Sequence, residues 1–521
     1  MKITKFLAAL MFALTALVFV ACEDDDDPEP EPTDITVSGT VTNAEDGSGL
    51  ADVSVDAGSA NATTDADGNY TVTAPKAGLL SFSKEGFISK NEDVNNRTTI
   101  DVALTPEEME VETVTLSGLT TGDMTLTSDK IYLINQKFVV SDGHTVTIEP
   151  GTILKGMEGT GSVASAFIVA RGGKLIAEGT ADHPIIFTSV LDDITVGQKF
   201  GANLIEIDRE KWGGLILLGK APISAGDGDT EAQIEGIPGD EEFGKYGGDD
   251  PADNSGSLKY ISIRHGGALI GDGNEINGLT LGGVGNGTTI ENIEVLGNLD
   301  DGVEFFGGTV NAKNIIVAYQ GDDAIDIDQN YSGTIENVLV IHGGDDSDEA
   351  LEIDGPEGTA TNGLFTLRNG TFIKTDGNGS GADFKSDAQG TFENCVWSGY
   401  GENTTLKIRA SFDVDNNCSP EEDAFSHMMD ETPTFVIKDS EIVSTGTVET
   451  LFSIYPNPDE DPENPEEPHC GDAVTNQMVL NAAAKIAEWN NAIVTEKTDG
   501  KGADYSAFEG WTWSQNQGLL D

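Results

Sequence analysis

Beyond about residue 35, apolar residues come in short runs with a period of two, and Gly, Asp and Asn break the runs. That alternation predicts strands rather than helices. Three runs in the middle share one form. Val303 and Phe305 flank Glu304, Ile325 and Ile327 flank Asp326, and Leu351 and Ile353 flank Glu352. An acidic pair precedes each: Asp300-Asp301, Asp322-Asp323 or Asp348-Glu349. Further upstream each has a strand-like run holding an Asn, namely Asn292, Asn314 or Asn337. Those Asn residues recur about every 22 positions, inside the range of solenoid repeats. Strands and turns alone at that spacing predict coils stacked on coils, an all-β parallel β-helix. In such a stack the apolar alternates face inward. Glu304, Asp326 and Glu352 then share one outward column, and Phe306, Asp328 and Asp354 the next. The following coils add Asp383 and Lys385, then Lys407 and Arg409, so this face passes from acidic to basic along the axis. Asn369 and Asn394 continue the Asn series. They predict either a ladder of side-chain amides at one corner or a row of plain turn residues.

The same alternation organises the flanks. Residues 35–105 carry runs at Ile35–Val41, Val53–Val55, Tyr70–Val72, Leu79–Phe82 and Thr99–Leu104, with turns at Asp46-Gly47 and Asp67-Gly68-Asn69. They predict a small β-sandwich, in which Asp65 and Asp67 read as an ordinary turn before a cation loop. Residues 106–115 are a Glu-rich linker, and 116–521 form the solenoid. Helical spacing over Met478–Trp489 predicts a cap on the open end, where unpaired strand edges would otherwise be exposed. Phe508, Trp511 and Trp513 are expected to be packed core aromatics that close the last turn.

At the N-terminus, Lys2 and Lys5 precede an apolar run from Phe6 to Ala21. The run is short for a membrane span and suits a signal peptide over 1–21. Cys22 opens an acidic, Pro-rich tether over 22–34, in which Pro28, Pro30 and Pro32 oppose packing. The formal net charge of −63 excludes nucleic acid as a natural partner and favours divalent cations or neutral ligands. Cys395 lies in the strand-like run Phe392–Trp397 and is expected to be a buried thiol. Cys418 and Cys470 lie in two Pro- and Asp-rich stretches and are candidates for a disulfide in an oxidising compartment. The absence of a Cys-x-x-Cys spacing and the scatter of six His argue against zinc.

Several segments resemble known families. Val37–Val41, Gly49–Val55, Thr64–Tyr70 and Lys84–Phe87 resemble the carboxypeptidase regulatory-like domain, a transthyretin-like sandwich. The resemblance implies a non-catalytic spacer or stalk. Phe19–Cys22, with Phe19 where Leu is usual, resembles the lipobox of bacterial lipoproteins. The acids that follow resemble the export signal of Bacteroidetes-type surface lipoproteins. These imply a lipid on Cys22, anchorage in the outer membrane and exposure at the cell surface. Val146–Leu154, Phe167–Thr180, Pro184–Thr188 and Trp212–Leu217 resemble surface lipoproteins with a right-handed parallel β-helix, a pectin-lyase-like solenoid.

Candidate chemistry centres on the acidic columns. Carboxylates one strand spacing apart repel, and an oxygen-liganded Ca²⁺ relieves the repulsion. The candidate ligands are Asp322, Asp323, Asp326, Asp328, Glu352 and Asp354; the alternative is a solvated acidic face. One enzymatic reading is a Ca²⁺-dependent polysaccharide lyase, with Lys385 or Arg409 as base. The other rests on Gly321-Asp322-Asp323, which resembles the polygalacturonase family of glycoside hydrolases and implies Asp301, Asp322, Asp323 and His342 as its acids and histidine. Asp383 stands where that family has Arg, and Ile341 where it has the first Gly of Gly-His-Gly. The third reading is a monomeric, non-catalytic binding or adhesion protein for a polysaccharide or cell-surface glycan. Tyr319, Tyr331, Phe306 and Tyr400 are its candidate sugar-stacking aromatics.

Overall fold

The computed structural model describes residues 33–107, 111–270, 275–343, 347–359, 363–375, 379–402, 405–413, 419–456 and 472–520. The targeting segment, Cys22, Cys418 and Cys470 lie outside them. The chain divides into two units, Met1–Glu110 and Val111–Asp521. The strand Thr113–Leu119 already pairs in the solenoid, so the connection is shorter than the Glu-rich composition predicts.

The first unit is a β-sandwich. Asp34–Asn43 pairs antiparallel with Asn69–Pro75 and parallel with Val102–Leu104. The second sheet orders Asn61–Thr63, Ser54–Asp56, Leu79–Ser83 and Lys90–Asp93. Every second residue of Asn69–Pro75 is buried. Val37, Tyr70 and Val72 meet Val55, Leu80 and Phe82 in one core. One Asp65 carboxylate oxygen accepts the amides of Asp67 and Asn69, at 3.0 and 2.8 Å. That closes the turn locally.

Among the described residues of the second unit, 26 strands form one continuous ladder. Each coil covers three faces. Thr289–Leu296 turns at Asn292 to supply the first and second faces, and Val303–Phe306 supplies the third. All the coil-to-coil pairings are parallel, for example Ile293 with Ile315 and Ile315 with Val338. The turn requires a left-handed residue, and Asn292, Asn314, Asn337, Asn369 and Asn394 have φ between 54 and 62°. Asn tolerates that conformation and adds an amide. Asn314 donates to Asn292 at 2.9 Å, Asn337 to Asn314 at 2.8 Å, and Asn394 to Asn369 at 2.8 Å. The corner is therefore a ladder and not a row of plain turns. Cys395 is buried inside the coil stack.

The two ends of the sequence pattern separate in space. Met478, Ala482 and Ile486 of the helix Asp472–Glu488 join the solenoid core beside Phe452 and Ile454 and cover its end. Phe508, Trp511 and Trp513 do not close the last turn as expected. Their segment runs back along the second face and covers Leu296, Ile316, Leu339 and Ile341. Period two turned these four residues outward, so they needed a second layer to bury them. Ala503 donates its amide to Thr371 at 2.8 Å and Asp504 to Asn337 at 2.6 Å. The buried Glu294 carboxylate accepts the amides of Trp513 and Ser514 at 2.9 Å each and the Ser514 hydroxyl at 2.8 Å. Lys199 donates to the Gly510 carbonyl at 2.8 Å.

Glu294→Ala removes the acceptor of four donors in a dry site, the fourth being the Ser262 hydroxyl at 2.6 Å. It should destabilise the chain by roughly 3 kcal/mol or more in urea denaturation, since each stranded buried donor costs about 1–3 kcal/mol. A loss below about 1 kcal/mol would show that the returning segment is not held there.

Candidate functional site

The third face carries the acidic repeat. Val303–Phe306, Ile325–Asp328, Leu351–Ile353, Ala382–Phe384 and Leu406–Ala410 stack in register. Glu304 pairs with Asp326, Asp326 with Glu352, Glu352 with Asp383, and Asp383 with Lys407. Phe306 pairs with Asp328 in the neighbouring column. Phe305, Ile327, Ile353 and Phe384 point into the core.

Outward does not mean solvated here. Glu304 is 5% exposed and Asp326 7%. The reason is a long excursion between the strands Leu215–Leu218 and Gly256–Arg264, which carries the hairpin Glu231–Gln233 and Lys245–Gly247. Its Ile223, Ile234, Ile237 and Tyr246 pack on the outward apolar residues Ile168, Ile216, Leu218 and Phe306. Tyr246 donates its hydroxyl to Gln329 at 3.0 Å, and Gln329 donates to Glu357 at 3.1 Å. The apolar cover extends over the start of the acidic column and shuts it from water.

Two carboxylate groups result. Oxygens of Asp301, Glu304 and Asp326 lie within 4.8 Å of one another, and so do those of Asp300, Asp301 and Asp322. Two ionised carboxylates at that separation repel by about 3.5 kcal/mol at an effective dielectric near ~20. Burial, followed by neighbouring carboxylates, pushes Asp301, Glu304, Asp323 and Asp326 well above the usual range. Burial first and like charge second raise Asp300 and Asp354 to about 7, and burial with Glu357 raises Asp328 to about 6.

Of the six sequence-predicted cation ligands, Asp322 and Asp326 fall in these groups, one in each. Asp328 and Asp354 lie one column over. Glu352 is ion-paired with Lys385. Asp323 belongs to a different device, a ladder at the turn into the third face. Asp301 Oδ1 accepts the Asp323 amide at 2.9 Å, Asp323 Oδ1 accepts the Glu349 amide at 2.7 Å, and Glu349 accepts the Ser380 hydroxyl at 3.0 Å.

The basic end of the face is paired internally. Arg409 grips Asp383 through two bonds of 3.0 and 2.6 Å, and Lys407 contacts Glu349 and lies 3.8 Å from Asp383. His342 is fully buried, its Nδ1 3.4 Å from the Tyr400 hydroxyl, and burial pushes it down to about 4. Of the proposed stacking aromatics, Tyr331, Tyr400 and Phe306 are buried and Tyr319 is half-buried. Tyr331 and Tyr400 belong to the inner core, Phe306 lies under Tyr246, and Tyr319 packs with the Trp511 layer. Asn277 and Glu235 join the site from segments that interrupt the repeat, so periodicity gave no signal of them. Asn277 donates to Glu235 at 3.0 Å and to Glu304.

On the same face, to the N-terminal side of the excursion, lie two adjoining grooves of about 720 and 630 Å³. Glu241 and Phe243 line both. Asn135, Gln136 and Lys137 line the first, and Arg171, Lys220 and Asp249 the second. Burial lowers Lys137 to about 8, and its ammonium donates to the Ala164 carbonyl at 2.5 Å.

Residues 118–432 match the family model of the pectate-lyase like beta helix domain. Over 85 residues the chain is 39% identical to the TonB-dependent receptor P3 of Formosa agariphila, a match that spans 16% of this chain and 8% of the receptor. Among solved structures, it is similar to the catalytic unit of the GH87 α-1,3-glucanase of Streptomyces thermodiastaticus, at 11% identity and a TM-score of 0.32, over 81% of this chain and 73% of that one. It is also similar to Dex49A of Penicillium minioluteum, at 12% identity and a TM-score of 0.30, over 78% and 70% of the two chains.

The raised carboxylates give a signed pH dependence. A group whose folded pKa exceeds its unfolded value of about 4 favours the fold while protonated and loses that contribution as pH rises through the folded value. In chelator, calorimetric melting temperature should therefore fall between about pH 5 and 8. Asp354→Asn should make the fall smaller. A flat or rising profile would contradict the burial of these carboxylates.

Proposed function

This chain belongs to the pectate-lyase-like β-helix domain family, and we propose that it is a glycan-binding protein of the cell surface that does not cleave its ligand. The observation that carries the reading is the pair of grooves sharing Phe243 and Glu241. A half-buried aromatic ring beside amides and mixed charges suits a sugar, whose C–H faces stack while its hydroxyls exchange hydrogen bonds. A neutral or cationic glycan agrees with the net charge of −63 better than a polyuronate does.

The pairing of the cations supports binding over cleavage. A lyase base must reach the substrate proton and shed its own. Lys385, Lys407 and Arg409 are each held by carboxylates of this face. His342 is buried against Tyr400, and the Asp323 carboxylate accepts the Glu349 amide. One observation favours hydrolysis instead: Asp300, held near about 7, lies beside Asp301 and the exposed Asp322, which could serve as a carboxylate acid and base. Placement at the surface rests on Lys2, Lys5, the apolar run Phe6–Ala21 and a lipid on Cys22.

The test is to apply the chain to a glycan array and, in parallel, to uronate and neutral polysaccharides with and without Ca²⁺. Binding should appear without unsaturated products or new reducing ends. Phe243→Ala should weaken it by about tenfold, the loss of roughly one stacking contact. Product formation would replace binding by cleavage, and undiminished affinity in the Phe243 variant would place the ligand elsewhere.

A further inference from the structure

The group formed by Asp301, Glu304 and Asp326 poses a problem that nothing around it solves. All three residues are more than nine-tenths buried. Among the described residues no Lys or Arg reaches any of them. The nearby cations are spent on Glu352, Glu349 and Asp383. A second observation is independent of the clustering. Asp326 Oδ1 is enclosed and has no hydrogen-bond partner. Asn277, 1% exposed, leaves its own Oδ1 without a partner while its amide nitrogen donates to Glu304 and Glu235. Buried acceptors are almost always satisfied, so two orphans on one carboxylate group point to something the side chains alone do not supply.

We propose that Asp301, Glu304 and Asp326 hold one calcium ion between adjacent coils, with the Asn277 amide oxygen as a further ligand. The donors are all hard oxygens, which disfavours copper and zinc. The oxygens of this group all lie within 4.8 Å of one another, close enough to share one ion. Three carboxylates and an amide supply four to seven oxygens, close to the six to eight that Ca²⁺ takes. Turning the Asn277 amide over gives up its donations to Glu304 and Glu235 and aims an oxygen at the same point. The ion sits under the excursion and away from any polymer. It replaces mutual repulsion with shared coordination and ties Glu304 and Asp326, which occupy consecutive coils, to the turn at Asp301. Its four residues do not line the glycan grooves.

The test needs no glycan, so its result is separate from the binding reading. The chain is stripped with EDTA, desalted, and titrated with CaCl₂ at pH 7 by calorimetry, with melting followed in parallel. One ion per chain should bind and raise the melting temperature. Asp326→Asn and Glu304→Gln should weaken binding at least tenfold. Their metal-free melting should be no lower than that of the parent, because each removes a repelling charge. Asp354→Asn, in the next column, should bind as the parent does, and MgCl₂ should bind more weakly than CaCl₂. The proposal is overturned if millimolar Ca²⁺ neither binds nor stabilises the parent, or if Asp326→Asn binds equally well. It is also overturned if Asp354→Asn loses as much, or if Mg²⁺ binds more tightly.

Discussion

Parallel in-register pairing between coils is the constraint on which the rest depends. Each backbone donor and acceptor finds its partner in the coil above or below, about 4.8 Å away. The chain therefore has no freedom to offset like residues. Whatever side chain stands at a position meets the residue at the same position in the next coil. Where that side chain is Ile or Phe, a continuous core follows. Where it is Asn in a left-handed turn, the result is an amide ladder. Where it is Asp or Glu, the result is a column of like charge, and the same rule that builds the core creates the electrostatic difficulty.

Two segments outside the repeat decide what those columns become. The excursion before Gly256–Arg264 brings its own apolar residues and seals the upper part of the acidic face. Lower down, Lys385, Lys407 and Arg409 neutralise the column directly. One face thus holds a dry, cation-poor acidic region and a paired region, with open grooves beyond the excursion. The difference arises from what lies on top of the strands, since the strands themselves are alike.

The parts that were legible in the sequence are those that repeat. Period two and the Asn spacing led to the solenoid, the two outward columns and the acidic-to-basic progression, and the registers agree residue by residue. Burial was not legible. Whether Glu304 meets water depends on Ile234 and Tyr246, far away in sequence and in a stretch with no repeat. Asn277 and Glu235 were missed for the same reason. The aromatic residues near the end were correctly read as packed but wrongly placed, because alternation says that a residue is covered without saying by what. Asp301 and Asp323 matched an acidic motif, and nothing in that motif distinguished a catalytic carboxylate from one that accepts the next coil's amide.

The returning C-terminal segment has a consequence for how such a molecule can change. A stack held only by neighbour contacts can gain or lose a coil anywhere, at the cost of two new junctions. Here residues 503–514 touch Thr371, Asn337 and Glu294 in turn, and so span several coils at fixed intervals. The segment acts as a ruler laid along the axis. Duplicating a coil between Glu294 and Thr371 would put the marks on either side of it out of step, whereas a duplication among the earliest coils would leave the marks aligned. Growth of this architecture by coil duplication is thereby confined to one end, and the middle, with its acidic columns, is held at constant length.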